Sequence, residues 1–289
     1  MKILLECAMG WLRCATVIAF GVAGFASVAC AQESHVGKLT GHAANGGDDF
    51  RRYCAGCHGT RGDGKGTFAP YLDPRPRDMT AGIFKCRSTP TGTLPTDQDI
   101  YDTLIRGIVT TAMPSWAPLT PQARVDMVAY VKKFSPRFVS EKLQPPVEIP
   151  PEGAVTLAGL RHGEDLFQKA GCVNCHGREG HGDGPAAASL LDIKGRPDPP
   201  YDFTETGRFK CGSTNASLYR TLMTGMDGSP MASFHGRLTS EEAWDVVHYV
   251  RALQVGRKGP ENTVWKAAGG GVSPGDVTPA APAAAPYAP

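Results

Sequence analysis

Net charge is nearly missing from this chain. Over 289 residues, 30 Lys and Arg face 28 Asp and Glu, a formal +2. That balance excludes binding through bulk charge and argues against nucleic acid or an anionic membrane surface as a partner. No segment alternates apolar and polar residues over the length of a strand, which points away from sheet-based classes. The glycine-rich run RGDGKG at 61–66 therefore lacks the strand–loop–helix setting of a phosphate-binding loop. Its glycines are expected instead to carry the backbone closely past a bound group through positive φ. Long apolar runs are also missing. The one candidate, 14–28, is short of the ~20 residues that a spanning helix needs. With Lys2 and Arg13 before it and Ala29-Cys30-Ala31 after it, the stretch 1–31 reads as a cleavable export signal. An uncleaved anchor is the lesser reading, and Ser27 stands where a lipoprotein site carries Leu.

Cysteine, glycine and proline are plentiful. Three of the nine cysteines fall within 1–31, and four more form two C-x-x-C-H motifs, Cys54–His58 and Cys172–His176. Cys86 and Cys211 remain. The motifs belong to a larger repetition. GGDDFRRYCAGCHGTRGDG, GIFKCRST, YDTLIRGIVTTAMPSW and ARVDMVAYVKKF return in the same order as HGEDLFQKAGCVNCHGREGHGDG, GRFKCGST, YRTLMTGMDGSPMASF and EEAWDVVHYVRAL. Such order marks an internal duplication. It predicts two similar domains, 46–134 and 159–254, joined by a Pro-rich, semi-rigid linker over 135–158. The Ala/Pro/Gly composition of 256–289 reads as a disordered tail, and residues 32–45 are read the same way.

Within each repeat the apolar spacing is helical. It predicts short helices entering the motifs at 46–53 and 161–170, middle helices at 97–108 and 215–224, and closing helices at 120–134 and 239–253. Pro121 suits the first position of a helix. Thr239 or Ser240 suits the cap ahead of Glu241 and Glu242. The expected class is all-α.

C-x-x-C-H is the attachment signature of c-type haem. Its two thiols form thioethers with the vinyl groups of the porphyrin, and the adjacent histidine is the proximal iron ligand. A redox dithiol would want a βαβ setting, and a zinc site would need four thiols gathered across two domains. The motif therefore predicts two covalently bound haem c groups, on Cys54, Cys57 and His58 and on Cys172, Cys175 and His176. Met113 follows His58 by 55 residues, and Met231 follows His176 by 55. Both precede the closing helix, and their thioethers suit iron as the second axial ligand. Filling core is the bland alternative. Met79, Met127, Met223 and Met226 have no counterpart in the other repeat. His/Met ligation raises the reduction potential and leaves no axial position for peroxide, oxygen or nitrite.

Each repeat resembles a class I cytochrome c domain, and the whole resembles a dihaem cytochrome c with the layout of the cytochrome c4 family. The likeness covers about 46–134 and 159–254, and departs in the FKC segments and the long tail. It implies that Tyr130 and Tyr249 pack the closing helix against the first, with Phe50 and Phe167 as partners. The R-P-R-D-x-T and F-K-x-R-S-T blocks resemble those of partners of periplasmic respiratory oxidoreductases. The expected function is a periplasmic carrier, not an enzyme, that shuttles electrons between redox proteins such as a respiratory oxidoreductase or oxidase. No small-molecule substrate is expected, and loose association with a membrane complex is compatible. The alternatives are a dihaem peroxidase or thiosulfate dehydrogenase, or the cytochrome subunit of a periplasmic oxidoreductase.

Several residues stay open at this level. Cys86 and Cys211 stand as an inter-domain disulfide, as two buried thiols or, by resemblance to dihaem thiosulfate dehydrogenases, with one as a thiolate iron ligand. Arg75, Arg77, Lys85, Arg87 and Lys210 are candidate partners of haem propionates. Trp116 and Phe234 are expected at the porphyrin edge. His181, near the second motif and without a counterpart, is the histidine to watch. Matched ligand sets predict similar potentials for the two haems.

Overall fold

Side-chain caps and glycine stops set the ends of the main helices. In the computed structural model, which describes residues 33–205, 208–254 and 259–269, five threonines each accept a hydrogen bond from the N–H three residues on. They are Thr96, Thr120, Thr156, Thr214 and Thr239. Each satisfies one of the orphan donors of a helix start. At Thr96 and Thr239 the carboxylates of Asp99 and Glu242 accept from the cap N–H in return, completing a capping box. Thr239→Ala should cost about 1 kcal/mol, read as a lower urea midpoint at unchanged slope; an unmoved midpoint would contradict it. The expected signal at 1–31 and the part of the tail beyond 269 lie outside the described residues.

The first half runs α1 (Ala43–Asp49), a π-helical turn (Phe50–Cys54), α2 (Ala55–His58), α3 (Asp97–Arg106), α4 (Pro121–Lys132) and α5 (Arg137–Ser140). The second half runs α6 (Leu157–Lys169), α7 (Val173–His176), α8 (Asn215–Thr224), α9 (Ser240–Ala252) and α10 (Pro260–Ala267). Gly107 and Gly225, at φ of 68° and 66°, stop α3 and α8, a conformation that disfavours any other residue. The opening helix of each half crosses its closing helix at a glycine. A Cβ on Gly46 would lie 2.2 Å from the Asp126 carbonyl oxygen, and one on Gly163 would lie 2.1 Å from that of Asp245. Beside each crossing the expected aromatic pairs form: Phe50 and Tyr130 have centroids 5.3 Å apart, Phe167 and Tyr249 5.5 Å. Among the described residues, no helix is long and apolar enough to cross a membrane.

Among the described residues, parts of two stretches read as unstructured are ordered. Residues 32–45 contain an antiparallel hairpin, β1 (Glu33–Val36) with β2 (Leu39–His42), pairing Val36 with Leu39. It is held by distant groups. The His35 N–H donates to Asp97 Oδ2 (2.8 Å), and that of His42 to Asp126 Oδ1 (2.8 Å). A Cβ on Gly41 would collide with the Val125 carbonyl. Four-residue strands are too short to show a period, so tertiary contacts decide this segment. In the stretch read as tail, α10 buries Trp265 against Tyr249 (5.7 Å, edge to face). Asn262 Nδ2 donates to the carbonyls of Ala252 and Gln254, covering the open end of α9. Averaging composition over 256–289 hid this short helix behind the Ala/Pro-rich residues that follow it.

The halves meet through groups distant in sequence. Cys86 and Cys211 form a disulfide with Cα atoms 5.1 Å apart, which decides among the three alternatives for these residues. Next to it, Arg87 reaches into the second half with its side chain fully enclosed. Its Nη2 meets Asp227 Oδ1 at 2.9 Å and donates to the Thr224 carbonyl at 2.7 Å, while Nε donates to the Pro90 carbonyl. Asp227 also accepts from Thr91 Oγ1 and the Gly92 N–H, both at 2.8 Å. The linker is pinned at both ends: the Val147 N–H donates to the Ser88 carbonyl, and Glu152 Oε1 meets His248 Nε2 (3.0 Å) and Asn215 Nδ2 (2.6 Å).

Candidate functional site

The loops after the two C-x-x-C-H motifs fold alike, bond for bond. N–H groups of Gly59, Gly64, Gly66 and Phe68 donate to the carbonyls of Ala55, His58, Cys57 and Gly56. Those of Gly177, Gly182, Gly184 and Ala186 donate to Val173, His176, Cys175 and Asn174. Gly66 is obligatory, because a Cβ there would sit 2.3 Å from the Gly56 carbonyl oxygen. The glycine run at 61–66 thus holds the backbone tightly behind the motif.

Each motif histidine is tethered in the same way. His58 Nδ1 lies 3.3 Å from the Arg77 carbonyl, and His176 Nδ1 lies 3.2 Å from that of Tyr201. A carbonyl only accepts, so Nδ1 carries the proton and Nε2 keeps the lone pair a metal needs. Burial lowers both imidazole pKa values below the ordinary one, which favours the neutral, ligating form. Burial likewise pushes the Cys54 thiol up to about 12 and the Cys172 thiol up to about 11. Burial thus disfavours the thiolate form of both.

The methionine loops are wired identically as well. The Ile108 N–H donates to the Met113 carbonyl (3.1 Å) and that of Met226 to the Met231 carbonyl (3.0 Å). The Met113 N–H donates to Thr111 Oγ1 and that of Met231 to Ser229 Oγ. Ser115 Oγ donates to the Ile105 carbonyl and Ser233 Oγ to that of Met223. Trp116 and Phe234 follow, their N–H groups bonded to the carbonyls of Leu104 and Leu222. Methionines serving only as filler would not need the same loop twice. Met223 instead sits in the core of the second half, and Met226 takes the place of Ile108.

In the first half Cys54, Cys57, His58 and Met113 all line one cavity of about 490 Å³, with Phe50, Met79, Leu104, Trp116, Met127 and Val131 among its apolar walls. Two thiols, a tethered imidazole and a thioether around one apolar hollow fit a covalently attached haem. In the second half Cys172, Val173 and Met231 pack against the core, and Phe203 stacks on the His176 ring at 4.2 Å. The Phe203 N–H meets the Gly180 carbonyl as the Met79 N–H meets that of Gly62, so Phe203 is the counterpart of Met79.

The candidate cations divide. Arg75, Arg77, Lys85 and Lys210 line the cavity, whereas Arg87 is drawn to the interface by Asp227. Residues of the second half also line the first cavity: Asp192, Lys194, Arg196 and Asp198 among them. Lys85 Nζ meets Asp198 Oδ2 at 2.7 Å, and Lys194 Nζ meets Asp78 Oδ2 at 3.1 Å. No sequence signal links groups more than a hundred positions apart, so these were missed. His181 lies in a polar loop, with Nδ1 3.2 Å from Thr204 Oγ1 and 3.6 Å from Asp202 Oδ2.

Comparison with known families matches residues 160–254 to cytochrome c and residues 41–131 to cytochrome C oxidase, cbb3-type, subunit III. The chain is similar to a solved structure from Kuenenia stuttgartiensis, described as the reducing HAO-like protein complex Kustc0457/Kustc0458. The identity is 39% and the TM-score 0.71, over 73% of this chain and 96% of that one. Comparison with curated proteins gives no match.

Proposed function

Because this chain belongs to the dihaem c-type cytochromes, and so is an electron-transfer protein carrying two covalently bound haem c groups, we propose that it is an exported carrier between respiratory redox proteins. The observation that carries this reading is the duplicated site: a carbonyl-tethered histidine beside two thiols, and an identically wired methionine loop, in both halves. In it, Cys54 and Cys57 anchor the first haem and Cys172 and Cys175 the second. His58 with Met113, and His176 with Met231, would hold the two irons. Bound there, haem supplies one-electron exchange between ferric and ferrous iron with no bond made or broken. Around it the chain would hold each imidazole in its ligating tautomer and present an apolar wall that includes Phe50, Leu104 and Trp116. With a histidine and a methionine assigned to each iron, no position would be left for a substrate, which supports a carrier over a peroxidase. Pairing Cys86 with Cys211 removes the thiolate that the thiosulfate dehydrogenase reading needs. The disulfide also supports an oxidising compartment, here the periplasm.

One observation favours a subunit role beside free diffusion. The similar Kuenenia chain is nearly fully covered and comes from a structure described as a complex. Copurification of an oxidoreductase at low salt, lost at high salt, would support it.

The test is a spectropotentiometric titration that follows the charge-transfer band from methionine sulfur to ferric iron. Both haems should show the band in the parent protein. Met113→Leu and Met231→Leu should each remove about half of it and lower one midpoint potential. A band that survives both substitutions would overturn the ligand assignment.

A further inference from the structure

The two sites are alike in their ligands and unlike in their surroundings, and the difference centres on one pair of positions. Arg77 and Tyr201 are counterparts, since their carbonyls hold His58 and His176. Asp78–Thr80 and Asp202–Thr204 follow them with the same side-chain bonds. At this position the first half has a guanidinium and the second a phenol.

The Arg77 side chain lines the first cavity and extends to the second half. A Cβ on Gly228, in the loop leading to Met231, would lie 2.6 Å from Arg77 Nη1. Three of the other cations on the cavity wall have partners: Lys85 and Lys210 share Asp198, and Lys194 takes Asp78. The Arg77 guanidinium, among the described residues, has no carboxylate or carbonyl at hydrogen-bond or ion-pair distance. Asp78, Asp192, Asp198 and Asp227 act on it only through space, and burial lowers its pKa from the ordinary value. The guanidinium is half-buried, unpaired and on the wall of the cavity, so an anion there would give it a partner, and the planar fork suits a carboxylate.

We propose that Arg77 receives a carboxylate of the haem attached at Cys54 and Cys57, and that its charge makes this haem the more oxidising of the two. The inference rests on the proposed placement of that haem in the cavity. A fixed positive charge opposes the extra positive charge of ferric iron, so it favours the ferrous form and raises the potential. Tyr201 supplies no such charge to the second site. Arg77 acts here as a positioning residue, and the expectation of similar potentials from matched ligands gives way to an ordered pair.

The experiment uses the mature dihaem protein. Met113→Leu first identifies the midpoint that belongs to the first haem. Arg77→Gln should then lower that same midpoint and leave the other in place. The expected tenfold fall in the equilibrium constant for electron exchange between the haems corresponds to about 59 mV for a one-electron couple. Arg77→Lys, which keeps the charge but not the fork, should retain more than half of the parent separation. Gly228→Asn pushes the guanidinium aside without touching a ligand, and Asn tolerates the +78° φ at that position. It should lower the same midpoint, and it decides alone if R77Q fails to take up haem. Unchanged midpoints in R77Q and G228N, or a shift of the other midpoint, would overturn the proposal. Failure of the ligand assignment is distinct, because it appears in the charge-transfer band, which none of the Arg77 or Gly228 variants should remove.

Discussion

Arg87→Ala should destabilise the protein by about 3–5 kcal/mol. The Arg87 side chain is fully enclosed and Asp227 is 14% exposed, so the pair is screened little by solvent. The substitution strands a carboxylate and also unmakes the bonds to the carbonyls of Thr224 and Pro90. The cost comes from what is left behind more than from the attraction lost. Arg87→Ala combined with Asp227→Ala should therefore be less harmful than the two single effects added. Urea unfolding followed by haem absorbance gives all four corners of the cycle. Strict additivity, or a loss under 1 kcal/mol for R87A, would mean that Asp227 keeps its charge satisfied through Thr91 and Gly92 alone.

Removing the Cys86–Cys211 bridge with a double serine substitution should cost about 3–5 kcal/mol. The bridge joins positions 125 apart, so without it the unfolded chain regains the freedom of a very long loop. The folded interface loses little else, because the Lys85–Asp198 and Arg87–Asp227 pairs remain. The expected signature is a lower urea midpoint with haem spectra unchanged, and a matching fall when the parent is unfolded with a thiol reductant present. An unchanged midpoint in the serine variant would show that the interface, not the covalent link, holds the halves. Cys86 adjoins Arg87, so this change and R87A should not combine additively.

What the sequence made legible was what repeats or lies close along the chain. The paired motifs, the equally spaced Met113 and Met231, Thr120 ahead of Pro121 and Thr239 ahead of Glu242 are local patterns with local causes, and the structure places the six expected helices near their expected spans. Meetings across distance were illegible. Nothing near Lys85 announces Asp198, nothing near Arg87 announces Asp227, and the hairpin at Glu33–His42 exists because Asp97, Val125 and Asp126 receive it. Cys86 and Cys211 could be recognised as counterparts, but only the close approach of the two halves shows that they pair. The repeat itself hid the difference between the sites, since alignment on the ligands draws the eye from Arg77 and Tyr201.

The disulfide also bears on how the molecule is made. Beyond the first 31 residues the chain carries six cysteines, and six thiols allow fifteen complete pairings. Four of them must arrive at the haems reduced, because a thioether forms from a thiol; the other two must be oxidised. One polypeptide in one compartment thus makes opposite redox demands, and the order of events resolves them. Once both haems are attached on the proposed cysteines, a single pairing is left, Cys86 with Cys211. Cofactor attachment then acts as the proofreading step for disulfide formation, because each of the fifteen complete pairings open to an earlier oxidant ties up the four thiols that the haems need.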